Sequence, residues 1–245
     1  MTRDLLIRME RGHVRAWPAL ETRDVEGWLW RCSGGGSQRA NSVSTVDFTG
    51  TDPEAAIDLV EALYRGKSAP ARFHTFDATA PAGLDERLRA RGYRESEATL
   101  TMVKPAAATV APPDTERHDQ ADADWRGVYL EEISESRRAV ADRILTSIPG
   151  PRAFFACRRG GRVISTASAV IGFGCAVVEC VATRGDCRRQ GGAEATLHAL
   201  ETWVATQDAT MLGLQVVATN TPAIALYARL GYAVAGRNRF WVRDI

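Results

Sequence analysis

The chain has 245 residues, with 31 basic side chains against 30 acidic ones and a formal charge of +1. That balance excludes the electrostatic footprint of a nucleic-acid binder, and a composition 45% hydrophobic and 25% charged excludes both a disordered and a membrane-spanning class. Five cysteines (Cys32, Cys157, Cys175, Cys180, Cys187), without a CxxC pair or Cys/His zinc spacing, read as reduced, mostly buried thiols and give no metal site.

Arg3, Asp4, Arg8, Glu10 and Arg11 interrupt any apolar run at the N-terminus, so no signal peptide is read there and a cytoplasmic location is expected. Alternation and turn residues predict strands near 26–32 and 41–48, with Ser33 to Gly36 as the loop between them. After Asp52 and Pro53, the spacing of Ala56, Leu59, Val60 and Leu63 predicts a helix. A strand near 71–77 leads to a helix with Leu84 and Leu88 on one face and Gly92 as its C-terminal cap, then to a strand over 96–103. The run PAAATVAPP (105–113) has no periodicity and reads as a linker, dividing a domain 1–104 from a domain 114–245.

Trp125 to Leu145 reads as one or two helices, stopped by Pro149-Gly150. Residues 152–157 and 163–170 form a predicted hairpin over Arg159 to Gly161, and 175–183 is a third strand. The stretch VISTASAVIGFGCAVVECVA (163–182) is as long as a membrane span, but Gly172, Gly174 and Glu179 argue for two buried strands joined by a tight turn. From Ala193 the period becomes helical, with Leu197, Leu200 and Val204 on its stripe. A strand over 211–218 ends at Asn220, Pro222 opens a helix that Gly231 closes, and 232–242 is the last strand. This order predicts a mixed α/β, or α+β, layered fold. APAGLDERLRARGY (80–93) and NTPAIALYARLGY (220–232) both read as proline, apolar helix, Gly-Tyr, which suggests an internal duplication; convergent helix-ending chemistry is the plainer alternative.

The loop RRQGGA (188–193) lies between a buried strand and an amphipathic helix, where main-chain N–H groups lack partners and anions bind. Gly191 and Gly192 remove Cβ interference with an approaching diphosphate, and Arg188 and Arg189 add cationic reach. Two glycines before a helix are also what a tight turn needs, and neither a Walker A nor a dinucleotide spacing is met. Strand alternation puts Glu179 on the face of Val177 and Val181, towards the end of the strand nearest this loop. It is either a general base or a salt-bridged or solvent-facing strand carboxylate.

The run VATRGDCRRQGGAEATLHALETWV (181–204), followed by LQVVATNTPAIALYARLGY (214–232), resembles the GNAT superfamily of acetyl-coenzyme A dependent N-acetyltransferases. Arg188, Gly191 and Ala193 meet the family's first signature; Asn220, Leu226, Tyr227, Leu230, Gly231 and Tyr232 meet its second. The resemblance implies a central mixed sheet flanked by helices, and direct acetyl transfer from acetyl-coenzyme A to a primary amine of a small molecule or amino acid, with no metal. It implies that the backbone of Val181, Ala182 and Thr183 pairs with the pantetheine arm and that Arg188, Arg189, Gln190, Gly191, Gly192 and Ala193 hold the diphosphate. Asn220 would bond the cofactor arm and Tyr227 would protonate the leaving thiolate, although packing on the sheet also accounts for Tyr227. Residues 15–43 resemble the opening of bacterial tandem proteins of this kind, so the first half is expected to be a degenerate GNAT-like unit, with Leu88 in place of the tyrosine. Trp28, Trp30, Arg39 and Asn41 are candidates for the acceptor wall. No nucleic-acid or membrane partner is expected, the oligomeric state is open, and a non-catalytic coenzyme A sensing module is the alternative function.

Overall fold

The computed structural model describes residues 2–245. It opens with a helix, α1 (Arg3–Ala16), where the sequence reading places no element. Leu5, Met9, Gly12, His13 and Ala16 form its buried stripe, and the Thr2 hydroxyl accepts from the Leu5 N–H as N-cap. There follow β1 (Glu21–Val25), β2 (Trp28–Cys32), a 3-10 turn (Arg39–Asn41), β3 (Val43–Ser44), α2 (Pro53–Arg65), β4 (Ala71–Phe76), α3 (Leu84–Ala90) and β5 (Arg94–Pro105). The second half contains β6 (Thr115–His118), α4 (Ala123–Glu131), α5 (Glu135–Ser147), β7 (Arg152–Arg159), β8 (Arg162–Gly172) and β9 (Cys175–Thr183). It ends with a 3-10 turn (Gly185–Cys187), α6 (Gly192–Val204), β10 (Met211–Val217), α7 (Thr221–Arg229) and β11 (Ala233–Arg243).

Two expectations change at this level. The strand predicted over 41–48 shrinks to β3, because only Val43 and Ser44 find ladder partners on β4. Of the predicted α2 stripe Ala56 and Val60 are buried, joined by Ile57 and Tyr64, whereas Leu59 is 53% exposed. The apolar run 163–182 is the hairpin β8–β9: Phe173 and Gly174 have φ of 54° and 68°, the positive values that a two-residue type I′ turn needs. Among the described residues no helix is long and apolar enough to cross a membrane.

All the strands join one mixed sheet in the order β1-β2-β3-β4-β11-β5-β10-β9-β8-β7-β6, with helices on both faces, the architecture the resemblance implied. β3–β4 and β9–β10 are parallel pairs and the rest antiparallel. At the centre the halves interleave: β11 lies between β4 and β5, and β5 lies between β11 and β10. The units β4-α3-β5 and β10-α7-β11 thus face each other across the β5–β11 pair, each lending its last strand to the other, as a duplicated unit can. One core packs α4 and α5 onto β7–β9, with Trp125, Ile144 and Phe154 fully buried. A second packs α6 and α7 onto the opposite face around Phe155, Leu200 and Leu214. A third packs α2 and α3 on the first half around Trp28, Trp30, Phe73 and Trp241.

Interleaving has a measurable consequence. A fragment starting at residue 114 lacks β5, so β10 and β11 lose their common neighbour and two long ladders become open edges. Expressed alone it should be insoluble or molten, and coexpression with residues 1–113 should restore a soluble complex; a monomeric fragment with a sharp thermal transition would refute this.

Candidate functional site

The two halves differ at the helix that follows their parallel-strand entry. At α2 the N-cap is Asp52, whose carboxylate accepts from the Glu54 and Ala55 N–H groups, and Pro53 has no N–H to offer. The anion place there is filled by the chain itself. At α6 the N-cap is Gly191, in the left-handed region at φ 79°, with no side-chain cap and open space where a Cβ would stand. Its free amides and the helix dipole suit an external anion.

Gly192 also has a packing reason to lack a side chain. A Cβ there would lie 3.1 Å from Ile164 Cδ1 and 3.2 Å from Ser165 Cβ, so its bareness lets α6 sit on β8. Gly192→Ala should therefore push the cradle off β8, lowering stability by about 1 kcal/mol, or ~2–4 °C in melting temperature. An unchanged melting curve with unchanged ligand affinity would count against this.

Beside the cradle the sheet forks. β9 and β10 pair only from Met211/Cys175 to Gly213/Val177, after which β10 follows β5 and the far ends separate. Helix α1 sits at the fork, made possible by two glycines: a Cβ on Gly12 would lie 2.7 Å from Val177 Cγ2, and one on Gly213 would lie 2.5 Å from Met9 Sδ. The fork opens a cavity of about 1040 Å³. Its β9 wall carries Glu179, Val181, Ala182 and Thr183; its mouth carries Arg188, Arg189, Gly191, Gly192 and Ala193; its other wall carries Asn220 and Tyr227. Of the residues read from the sequence, Gln190 stays out: its amide donates to the Asp186 carbonyl (3.3 Å) and its own carbonyl accepts from Arg159. Arg188 is ion-paired with Glu132, and the Asn220 Oδ1 accepts from the Ala223 N–H as the cap of α7 (3.3 Å). His198, on α6, does not line the cavity.

Side chains alternate along β9 up to Glu179 and fall out of step after it. Cys180 has φ 55°, and the β8–β9 register slips between Ser168/Glu179 and Thr166/Ala182, a β-bulge. Val177 and Cys180 therefore join the core under α4 and α5, whereas Val181 packs with the opposite core. Glu179 keeps the face of Val177, not that of Val181, and meets α1.

There the Glu179 carboxylate, 6% exposed, accepts from His13 Nδ1 (3.0 Å) and from both terminal nitrogens of Arg39, the contact to Oε2 being 2.7 Å. It both lines the cavity and is ion-paired. Burial alone would raise its carboxyl, but Arg39 and then His13 outweigh that and hold it at about 2. The network continues inward. Glu10 Oε2 accepts from Gln215 (2.8 Å) and Asn238 (3.1 Å), and His74 Nδ1 stands 3.0 Å from Oε1 without hydrogen-bond alignment. Burial raises Glu10 too, yet His74, His13 and Arg31 bring it to about 2; burial lowers Arg31 to about 10.

Tyr227 is 7% exposed and packs edge-on against Tyr232 at 5.9 Å. Burial, and then the Glu179 carboxylate, push its phenol well above the ordinary value, so it stays protonated. Its counterpart Leu88 is core. Of the four acceptor-wall candidates only Arg39 reaches the cavity; Trp28 and Trp30 are fully buried elsewhere, and Asn41 braces the loop before Arg39. His13 was not singled out in the sequence, although the stripe Leu5, Met9, Gly12, Ala16 marks the helix that carries it.

A family model described as "Probable histone acetyltransferase Rv0428c C-terminal" matches residues 6–241. The uncharacterized N-acetyltransferase YobR of Bacillus subtilis (strain 168) is 24% identical over 252 residues, covering 98% of this chain and 99% of its own. A GCN5-related N-acetyltransferase from Kribbella flavida superposes with a TM-score of 0.68 at 18% identity, over 98% of this chain and 95% of its own. A tandem GNAT protein from the clavulanic acid biosynthesis pathway gives 0.62 at 15% identity, over 82% and 74%.

Proposed function

Because this chain belongs to the Rv0428c C-terminal acetyltransferase family and has the GNAT fold, we propose that it transfers an acetyl group from acetyl-coenzyme A directly to a primary amine of a small molecule or amino acid. The observation that carries this reading is the fork of β9 and β10, a cavity with an uncapped helix N-terminus at one end and Glu179 and Tyr227 at the other. A diphosphate fits the first end because Gly191 leaves its amides bare and no side chain occupies the space beside it.

Bound there, the thioester supplies an electrophilic carbonyl carbon and a thiolate leaving group. The unpaired edge of β9 from Val178 to Thr183 offers main-chain groups to an extended arm, and the Val181 N–H would support the carbonyl oxygen as charge develops on it. The Asn220 amide nitrogen is free for the same arm, since its oxygen is used in capping α7. Tyr227 gives its proton to the sulfur as the C–S bond breaks, and regains one from the amine nitrogen through solvent.

A carboxyl at about 2 is a poor acceptor for the proton of an alkylammonium near 10.4; the gap corresponds to about 11 kcal/mol. Glu179 therefore acts as a fixed anion: it accepts a hydrogen bond from the neutral amine and stabilises the positive charge that grows on nitrogen during attack. The test is thiol release from acetyl-coenzyme A with a panel of amines, amino acids and a lysine-bearing peptide, beside calorimetry with coenzyme A. Binding with amine-dependent thiol release supports the reading. No heat at millimolar coenzyme A defeats it, and binding without thiol release would leave a sensing module instead.

A further inference from the structure

Resting on that role for Glu179, we infer that Arg39 and His13, both supplied by the half of the chain without a cofactor cradle, are positioning residues of the transfer reaction. They fix the Glu179 carboxylate so that a single lone pair of Oε2 is left for the acceptor amine.

The geometry supports this count. A carboxylate offers about four lone-pair directions. On Glu179, Oε1 accepts from His13 Nδ1–H and from one Arg39 terminal nitrogen, and Oε2 accepts from the other at 2.7 Å. Three directions are taken by donors on two separate elements, α1 and the turn at Arg39, so the group cannot rotate about its last torsion without breaking all three contacts. The imidazole is 1% exposed, so it touches Glu179 from behind and not from the cavity. The Arg39 side chain is 22% exposed and lines the cavity beside the carboxylate.

Both donors are themselves held. Asn41 Oδ1 accepts from the Ser33 N–H (2.8 Å), its amide donates to the Ser37 carbonyl (2.9 Å), and Trp17 Nε1 donates to the Ser37 hydroxyl (2.9 Å), which closes the glycine loop that aims Arg39. His13 is fixed by the seat of Gly12 on Val177. A buried ion pair is weak support for stability, since an apolar pair of the same volume does as well. Its place at the reacting end of the cavity is what assigns it to the reaction.

The test is a set of variants of the full chain assayed for kcat and amine KM, with coenzyme A affinity and melting temperature measured beside them. Asn places its amide nitrogen near the position of Nδ1, so His13→Asn should keep most of the turnover. His13→Gln, whose amide nitrogen matches Nε2, should lose about 10- to 100-fold. Arg39→Ala should lose a similar factor with coenzyme A affinity unchanged, and added guanidinium ion should restore several-fold of it. In the Glu179→Gln background neither change should cost anything further. Equal turnover for His13→Asn and His13→Gln, additive losses in the double variants, or losses that track coenzyme A affinity or melting temperature would each overturn the inference. Full activity of Glu179→Gln alone would instead remove the role of Glu179 on which it rests.

Discussion

Tyr227→Phe should lower kcat by about 10²- to 10⁴-fold while leaving coenzyme A affinity and the melting temperature nearly unchanged. The ring is buried against Tyr232 and the core of α6 and α7, and phenylalanine keeps that packing. What is lost is one proton donor facing the cavity. Because the phenol is pushed well above its ordinary value, it is protonated across the working range and adds no limb of its own to a pH–rate profile. For the same reason it is a weaker acid than the thiol it must form, with a reference value of about 8.5, so transfer occurs only as the C–S bond breaks. The loss therefore falls on kcat and not on binding. Single-turnover kinetics with saturating acetyl-coenzyme A distinguish the cases, and an unchanged rate would remove the acid role.

Acid should unfold the protein earlier than its small net charge of +1 suggests. Glu10 and Glu179 each stand at about 2 against an ordinary 4.5, a difference of 2.5 units or about 3 kcal/mol apiece. For depressed carboxyls the sign is fixed: the unfolded chain takes up these protons first, so the stabilisation is complete above pH 4.5 and is lost as pH falls towards 2. His74 adds in the same direction. Burial lowers its value from 6.5, so the unfolded chain binds that proton more readily and stability falls as the pH drops below 6.5. Urea midpoints at pH 7, 5, 4 and 3 should decline most steeply below 5. Glu10→Gln should reduce that slope by about one proton and should lower stability at neutral pH, because the buried Arg31 then loses the nearby negative charge that offsets its own burial. A flat midpoint between pH 5 and 3 would refute the account.

The parts that were legible in the sequence are those whose chemistry is local. The α6 N-terminus is announced by Gly191 within six residues, α7 by Pro222 and Gly231, and the β8–β9 hairpin by Gly172-Phe173-Gly174. The illegible parts involve partners far apart in the chain. Arg39 meets Glu179 across 140 residues and His13 meets it across 166, and no periodicity reports such a meeting. Nor does it report a bulge: one residue of positive φ at Cys180 moves Val181 to the other face, which two-residue alternation cannot anticipate. Helix α1 is hidden because the charged Arg3, Asp4, Arg8, Glu10, Arg11 and Arg15 break up its apolar run, and its narrow stripe of Leu5, Met9 and Ala16 is interrupted by Gly12. That glycine is what lets the helix touch β9. The exchange of β5 and β11 is invisible for a related reason, since a strand's sequence records that one face is buried and not which strand lies beside it.

The slot between β4 and β5 also sets an order of events during synthesis. Both strands are made well before 233–243, the segment that fills the gap between them. At about 5–20 residues per second, translating 106–232 keeps that gap open for roughly 6 to 25 seconds. The nascent chain carries two bare hydrogen-bonding edges throughout that time, so its need for chaperones should last until β11 docks between them.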